Sequence, residues 1–251
     1  MVTLNRIRNV VSYLREAGSV SQWRMVRGNC PCCGPSRFLV ARPDPFFTRC
    51  MTCKATAINL SVIRILNEKV SAKLLGKVAY EMSTYGATYS FLRKNCPTFH
   101  CSEYFPGYES GEWINGVRNE DAQHLSFADE SFDIVTSNQV FEHVPDDIAA
   151  YRECWRTLRP DGHLIFTIPL HDADRTVQVA RIDAGTISWL RTPEFHGSRT
   201  TGPNSVPVFW HFAVGDIAER VAQVGFSSVV IENVLVVPQQ VKPQLVIHAV
   251  K

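Results

Sequence analysis

From residue 77 onward, short apolar runs alternate with segments of helical periodicity, and this alternation constrains the fold of the chain more than any other feature. Strands are predicted over 78–82, 98–102, 132–136 and 163–168, with one helix ending at 94 and another over 146–158. Strands and helices in this order imply a mostly parallel sheet covered by helices on both faces. We therefore predict an α/β, doubly wound fold for residues 71–251.

The C-terminal part ends the predicted sheet differently. A helix over 216–224 is followed by two predicted strands, over 229–237 and 245–250, and only about seven residues join them. A connection of that length is too short for a helical crossover, so the two strands should run antiparallel. The last strand is therefore predicted to be antiparallel to the rest of the sheet.

Four of the eight cysteines form two Cys-x2-Cys pairs, Cys30 with Cys33 and Cys50 with Cys53, separated by sixteen residues. This spacing is typical of two knuckles that close a tetrahedral thiolate cage around one Zn²⁺. Four sulfur ligands leave no open coordination position, so the metal is expected to be structural. Four ordinary buried cysteines are the alternative, and Cys32 is a spare thiol that could exchange with a neighbour.

The cysteines lie in a turn-rich segment that favours a small zinc ribbon of short strands over 27–54. Helices are predicted on either side of it, over 4–17 and over 57–66. Together these elements form a predicted N-terminal module over 1–70, connected by its second helix to the larger domain.

Charge is unevenly distributed. Residues 1–75 hold 12 Lys or Arg against 3 Asp or Glu, whereas the remainder holds 14 against 21. The basic N-terminal part suggests a polyanionic partner such as RNA or a phosphorylated substrate, and a merely solvated basic face is the alternative. No apolar stretch approaches the roughly 18 to 20 residues of a membrane span, and Met1 to Arg8 lacks the apolar region of a secretory signal. A soluble, cytoplasmic protein without a membrane partner is expected.

Ligands of doubly wound folds bind outside the carboxyl ends of the strands, which singles out the residues after the first two predicted strands. A turn follows the first strand and contains Glu81, Ser83 and Gly86. Glu103 follows the second strand, where a carboxylate can accept hydrogen bonds from both hydroxyls of a ribose. We expect these residues to meet at one edge of the sheet.

An ordered series of motifs continues along the chain. It consists of Asp121-Ala122, Phe132-Asp133, Glu142-His143-Val144-Pro145-Asp146 and Leu158-Arg159-Pro160-Asp161-Gly162. Over residues 77–170 the series resembles the methyltransferase-domain family of class I S-adenosylmethionine-dependent methyltransferases. The resemblance implies S-adenosylmethionine as cofactor, with Asp121 and Ala122 at the adenine and Glu103 at the ribose. It places Glu81, Ser83 and Gly86 at the methionine end, and Asn138 is counted among the cofactor-binding residues.

The turn after the first strand departs from the family. The family usually has three glycines there, whereas this chain has Ser83, Tyr85 and Ala87 around a single Gly86. These side chains narrow the space for a cofactor, so the turn is reshaped or the affinity is reduced. A domain that kept the fold without the activity is the alternative.

The segment over about 171–212, inserted between the predicted strand over 163–168 and the predicted helix over 216–224, is predicted to cover the substrate. His171 and His196 within it, and His143 before it, are candidates for a base or an acceptor contact, because imidazole titrates near neutrality. Structural hydrogen bonds are the alternative for each. Glu142 and His143 either contact cofactor or substrate or cap the following helix. Trp189 and Trp210 either stack on a planar acceptor or pack in the core.

The acceptor is predicted to be a small molecule or a sugar. The ribbon lacks the dense interleaving of aromatic and basic residues that stacks single-stranded bases. An RNA or other nucleic-acid methyltransferase is the alternative, as is a zinc-ribbon nucleic-acid-binding protein whose methyltransferase fold is inactive.

Overall fold

The computed structural model describes residues 17, 19–42, 44–70, 74–198, 201–237 and 242–251. The helix predicted over 4–17 therefore lies, except for residue 17, outside the described residues. Within them no helix is long and apolar enough to cross a membrane. The α-helices are α1 (Ala57–Lys69), α2 (Gly86–Asn95), α3 (Asp147–Thr157) and α4 (Ile217–Ala222).

A three-stranded antiparallel sheet holds the cysteines. Its strands are β1 (Arg24–Cys30), β2 (Gly34–Val40) and β3 (Thr48–Cys50), in the order β1-β2-β3. A short 3-10 helix, Pro45–Phe47, precedes β3. The prediction of short strands over this segment is confirmed.

A six-stranded sheet forms the centre of the larger part. In spatial order it runs β17-β18-β9-β8-β4-β5. The strands are β4 (Val78–Glu81), β5 (Thr98–Cys101), β8 (Phe132–Asn138), β9 (Leu158–Thr167), β17 (Ser228–Val234) and β18 (Gln244–Val250). β5, β4, β8 and β9 are parallel, whereas β18 is antiparallel to both β9 and β17. The predicted α/β fold with a mostly parallel sheet and an antiparallel last strand is confirmed.

Alternate residues of the central strands belong to two different cores. Ile134 and Ile165 face a core shared with α1 and α2, whereas Val135, Leu164 and Phe166 face a core shared with α3 and α4. Successive side chains of a strand point to opposite faces, so near-continuous apolar strands require helices on both sides. This is the physical origin of the doubly wound arrangement.

α1 lies directly on the central sheet, in contact with β8, β9 and β18. It shares its core with Phe38 and Val40 of the cysteine-bearing sheet. The helix thus joins the two parts of the chain through side-chain packing. The division at residue 70 remains a prediction.

Two segments differ from the sequence prediction. The turn at 158–162 lies within the span of β9, because Phe132 pairs with Leu158 and the ladder resumes only at Ile134 with His163. Between β5 and Asp121 the chain forms a small hairpin of β6 (Trp113–Ile114) and β7 (Val117–Arg118). Beyond β5 the sheet continues as a single parallel bridge, Glu103 with Asn119.

The inserted segment is built of short strands. They are β10 (Leu170–His171), β11 (Val177–Gln178), β12 (Ala180–Asp183), β13 (Thr186–Trp189), β14 (Phe195–Ser198), β15 (Gly202–Pro207) and β16 (Trp210–Ala213). The end of this segment rests on the residues after β8. Phe209 N–H donates to the Glu142 carbonyl at 2.8 Å, and Trp210 Nε1–H donates to the Val144 carbonyl at 3.0 Å.

Candidate functional site

The four predicted zinc ligands lie together. The Sγ atoms of Cys30, Cys33, Cys50 and Cys53 all fall within 4.8 Å of one another. Cys30 and Cys53 are 3.7 Å apart, and Cys33 and Cys50 are 3.6 Å apart. Zinc–sulfur bonds of about 2.3 Å in a tetrahedron separate the sulfurs by about 3.8 Å. The thiols therefore fit one tetrahedral metal ion.

Backbone conformation shapes both knuckles. Gly34 follows the first pair with φ +79°, and Lys54 follows the second with φ +64°. Such left-handed residues turn the chain back, so that both thiols of a knuckle point inward. Cys32 lies outside the group of four.

Glu81 ends β4 and is almost completely buried, with 1% of its surface exposed. Its Oε2 accepts a hydrogen bond from the Thr136 hydroxyl on β8. Burial raises the pKa of Glu81 to about 7, although the hydrogen bonds from Thr136 and Asn138 partly oppose the shift. A buried carboxyl at the end of the first parallel strand is a functional-site candidate.

The raised pKa of Glu81 predicts a pH-dependent stability. The pKa of the folded state, about 7, lies above the unfolded value of 4.5, so the folded protein binds more protons between these values. The stabilising contribution is complete below pH 4.5 and is lost as the pH rises through about 7. A shift of this size corresponds to about 3 kcal/mol. In urea unfolding, Glu81→Gln is expected to gain about that much stability relative to the unchanged protein between pH 5 and pH 8.

The exposed Glu68 provides the control for this prediction, because Glu68→Gln should show no such gain. Equal pH profiles for the unchanged protein and Glu81→Gln would contradict the assignment.

The turn after β4 is tied to Glu103. Glu103 Oε1 accepts hydrogen bonds from the Thr84 amide at 2.8 Å and from the Thr84 hydroxyl at 2.7 Å. Among the described residues no donor reaches Oε2 of Glu103 within hydrogen-bonding distance. This carboxylate therefore organises the turn with one oxygen and leaves the other available to a ligand.

The single glycine of the turn begins α2. Gly86 has φ +95°, and the next amide, of Ala87, donates to Asn59 Oδ1 on α1 at 3.3 Å. Ser83 Oγ accepts from the Tyr85 amide at 3.3 Å, and Tyr85 is 38% exposed. Ser83 is thus accommodated through its hydrogen bond with the Tyr85 amide, and Tyr85 through its exposure to solvent.

Asp121 and Ala122 follow closely after the bridge that pairs Glu103 with Asn119. The Glu120 amide donates to the Glu103 carbonyl at 3.0 Å, which places Asp121 on the same side of the molecule as Glu103. The Asp121 carboxylate accepts from the Gln123 amide at 2.9 Å and from the Gln123 side chain at 3.0 Å. Ala122 packs against the core on the α3 side.

Asn138 ends β8 at the centre of the same edge. Its Nδ2 donates to Thr88 Oγ1 on α2 at 3.2 Å, and its Oδ1 accepts from Thr167 Oγ1 on β9 at 3.2 Å. It thus connects α2, β8 and β9. The cofactor-binding residues predicted from the sequence therefore line one edge of the sheet, the edge of its carboxyl ends.

The three predicted catalytic histidines lie in one polar cluster, which we call the His/Glu cluster: Glu142, His143, His171, Glu194, His196 and His211. The rings of His143 and His196 are 4.9 Å apart, and those of His171 and His211 are 4.7 Å apart. Glu194 links the two pairs, because its carboxylate accepts from His196 at 3.3 Å and from His211 at 2.7 Å. Sequence reasoning missed Glu194 and His211 as members.

Glu142 and His143 do not cap α3. The cap is Asp146, whose Oδ1 accepts from the Ala149 amide at 3.0 Å, whereas Glu142 and His143 form a separate 3-10 turn, Phe141–His143. Burial raises the pKa of Glu142 to about 8 and lowers that of His143 to about 4. The capping alternative is therefore wrong, and burial favours the neutral form of both side chains.

The pKa values of His171 and Glu194 are both lowered, for different reasons. Burial lowers the pKa of His171, and the neighbouring His211 adds to the effect. Burial tends to raise the pKa of Glu194, but the hydrogen bonds and charges of His211 and His196 together outweigh it and lower this pKa. An ionised carboxylate thus sits between two imidazoles, an arrangement that can accept or relay a proton.

One cleft is lined by members of the His/Glu cluster, and a second is lined by Trp210. Glu194 and His211 line one of about 460 Å³, together with Val177, Arg191, Thr192 and Pro193. Trp210 lines a second of about 710 Å³, where the Arg220 guanidinium lies 4.5 Å from the Trp210 ring centroid. Trp189 packs instead against Phe195, with ring centroids 5.2 Å apart.

Part of this edge is similar in sequence to known proteins. Residues 101–166, from the end of β5 to the end of β9, match the family described as "Methyltransferase domain". The ubiquinone biosynthesis O-methyltransferase of Aliivibrio fischeri is 34% identical over 59 residues, 24% of this chain and 25% of that protein. The demethylmenaquinone methyltransferase of Lactobacillus johnsonii is 44% identical over 46 residues, 18% of this chain and 19% of that protein. The chain thus spans about a quarter or less of the length of these curated relatives.

Solved structures with a related arrangement include an S-adenosylmethionine-dependent methyltransferase of Mesorhizobium loti. It is 17% identical with a TM-score of 0.49, covering 73% of this chain and 95% of that one. The 1,6-didemethyltoxoflavin-N1-methyltransferase of Burkholderia thailandensis is 16% identical with a TM-score of 0.48, covering 76% of each chain. Residues 101–166 contain Glu103, Asp121 and Asn138 and are similar in sequence to methyltransferase domains.

Proposed function

We propose that this protein is an S-adenosylmethionine-dependent methyltransferase that acts on a small-molecule acceptor. The observation that carries the proposal is the position of Glu103, which follows β5, accepts hydrogen bonds from the turn before α2 and pairs with Asn119, two residues before Asp121. In doubly wound folds an acidic residue at this position binds ribose hydroxyls, and the N-terminus of the following helix favours an anionic group. The match of residues 101–166 to methyltransferase domains supports the same assignment.

The residues present fit this cofactor. Glu103 would bind the ribose, Asp121 and the Ala122 amide the adenine, and the turn from Ser83 to Gly86 the methionine carboxylate. When bound, the cofactor supplies a methyl group on a positively charged sulfur. The protein must hold an acceptor in line with that methyl group and exclude water. A proton released by the acceptor would pass to the His/Glu cluster, where Glu194 lies between His196 and His211.

A small acceptor is favoured by the position of the His/Glu cluster. Only three residues separate Asn138 at the end of β8 from Glu142, and the inserted segment covers this region through Pro207, Phe209 and Trp210. The cleft lined by Glu194 and His211 has a volume of about 460 Å³, the size that suits a small ligand. The names of the curated relatives, which include a ubiquinone biosynthesis O-methyltransferase, support the same class of acceptor.

Titration calorimetry with S-adenosylmethionine tests the proposal. We expect micromolar binding by the unchanged protein and about 100-fold weaker binding by Glu103→Ala and by Asp121→Ala, because each variant loses hydrogen bonds to a charged acceptor. Glu103→Gln keeps one acceptor oxygen and should lose less. Glu112→Ala, an exposed carboxylate in the same region, should bind normally. No binding by the unchanged protein at millimolar cofactor would reject the proposal.

The same proposal includes a structural Zn²⁺ held by Cys30, Cys33, Cys50 and Cys53. The sulfur separations of 3.6 and 3.7 Å support it. The two cysteine pairs sit on a small sheet with few buried residues of its own, and a metal would hold such a sheet together.

An anionic macromolecule such as RNA is a second candidate partner, favoured by one observation. Arg27 and Arg37 lie directly opposite each other on β1 and β2, and both are exposed. Like charges at such positions destabilise a sheet unless an anion lies between them. This candidate requires an RNA affinity that falls steeply with salt and is weakened in Arg27→Ala. A flat salt response would exclude it.

A further inference from the structure

Among the described residues, Glu142 has a buried carboxyl group that makes no hydrogen bond. It is 1% exposed, and neither of its carboxylate oxygens has a hydrogen-bond partner in the described part of the chain. A buried carboxylate without a partner loses its hydration and gains nothing in return. Such a group calls for a ligand that offsets this cost.

Two imidazoles present nitrogen atoms to that carboxylate. His143 Nε2 is 3.7 Å and His196 Nδ1 is 4.0 Å from Glu142 Oε1. The three ligand atoms lie within 4.8 Å of one another. A cation with bonds of about 2.1 Å would bring them to about 3.0–3.5 Å, so binding requires the two nitrogen–oxygen distances to shorten by roughly 0.2 to 1.0 Å.

In each imidazole ring one nitrogen faces Glu142 and the other makes a hydrogen bond elsewhere. That hydrogen bond decides whether the nitrogen facing Glu142 carries a lone pair. His143 Nδ1 lies 2.7 Å from the Pro207 carbonyl oxygen, which can only accept, so Nδ1 carries the proton and Nε2 is free to coordinate. His196 Nε2 likewise donates to the Glu194 carboxylate at 3.3 Å, which leaves Nδ1 free to coordinate. Hydrogen bonds of this kind orient metal-binding histidines.

From these contacts we infer that Glu142, His143 and His196 form a second metal site, distinct from the cysteines, for a divalent first-row transition-metal ion. Two imidazoles and one carboxylate suit such ions better than Ca²⁺ or Mg²⁺, which prefer oxygen ligands. Three protein ligands leave coordination positions open, as in catalytic metal sites. The inserted segment supplies His196 and the carbonyl of Pro207, so this segment completes the site.

The site also narrows the class of acceptor, and in this respect the inference rests on the proposed function. An acceptor hydroxyl oxygen would occupy an open position, where the cation favours loss of its proton to solvent or to the cluster. The oxygen then forms a bond to the methyl carbon as the carbon–sulfur bond breaks, and the sulfur becomes neutral. The products are a methyl ether, S-adenosylhomocysteine and one proton. The substrate class is therefore an alcohol or phenol.

Mn²⁺ is the probe for the test, because it prefers oxygen and nitrogen ligands and does not compete for the thiolate cage. The protein is used with its cysteines loaded with zinc. Electron paramagnetic resonance of free Mn²⁺ should show one bound ion per chain, and Glu142→Gln and His196→Ala should each bind at least 10-fold more weakly. His124→Ala, an exposed histidine, should bind normally.

A stability measurement separates a metal ligand from a structural residue. Without Mn²⁺, Glu142→Gln should melt at the same temperature as the unchanged protein or higher, because it removes an unpartnered buried carboxylate. With Mn²⁺ at about 100 times its Kd, the unchanged protein should melt roughly 5 °C higher and Glu142→Gln should not respond. Absence of Mn²⁺ binding, or equal binding by Glu142→Gln, overturns the inference.

Calorimetry with S-adenosylmethionine on the same preparations keeps the two proposals apart. Cofactor binding without Mn²⁺ binding overturns only the metal site. Mn²⁺ binding without cofactor binding overturns the proposed function and leaves the metal site supported.

Discussion

Cys33→Ser is expected to remove the zinc and to lower the melting temperature by about 10 °C. Cys33 is exposed, so the loss of the thiol itself changes little packing, and the effect reports the metal. Structural zinc contributes folding free energy directly. A loss of several kcal/mol lowers the melting temperature of a chain of this size by about 10 °C. Zinc content by plasma mass spectrometry and calorimetric melting measure the two effects.

The adjacent residue provides a matched control. Cys32 lies in the same knuckle but outside the group of four, so Cys32→Ser should retain one zinc per chain and melt normally. EDTA should destabilise the unchanged protein about as much as Cys33→Ser does. A full complement of zinc in Cys33→Ser, or its loss in Cys32→Ser, would show that Cys32 is the ligand instead.

Arg220→Ala is expected to destabilise the protein by about 3–5 kcal/mol. Arg220 on α4 donates two hydrogen bonds, of 2.6 and 2.7 Å, to the carboxylate of Asp147 at the start of α3, and Asp147 is fully buried. Burial raises the pKa of Asp147 even in the presence of Arg220. Removing the arginine would leave this carboxylate buried and unpaired. Urea unfolding measures the change.

A double variant distinguishes the unpaired carboxylate from lost packing. Asp147→Asn combined with Arg220→Met removes both charges and keeps most of the volume, so it should recover most of the lost stability. The guanidinium of Arg220 also lies over Trp210, and methionine retains part of that contact. A double variant as unstable as Arg220→Ala would contradict the electrostatic explanation.

Local patterns were sufficient to predict the central sheet. Runs around Ile134 and Ile165 are apolar on both sides of the strand, and this property alone requires helices on both faces. The short connection before β18 predicted its antiparallel direction for a similar local reason. The hairpin at 113–118 and the bridge of Glu103 with Asn119 were not predictable, because both depend on contacts across the edge of the sheet.

The candidate site, too, could be predicted from the sequence only in part. The positions of Glu81, Glu103 and Asn138 were predictable, because each lies at or just after the carboxyl end of a strand and parallel strands bring their ends together. The link between His196 and His211 through Glu194 was not, because nothing in the local pattern states which side chains of the inserted segment face one another. The segment folds as short strand pairs whose register is set by long-range contacts.

The amino-acid sequence by itself determined the α/β fold, the two cysteine pairs and the edge of the sheet where a cofactor would bind, because periodicity, spacing and strand ends are local properties. Only the tertiary structure decided that Glu142 is buried without a partner and that His143 and His196 face it with lone pairs. Those properties depend on Pro207 and Glu194, which lie more than fifty residues beyond Glu142 in the chain and reach it only after the inserted segment has folded over β8.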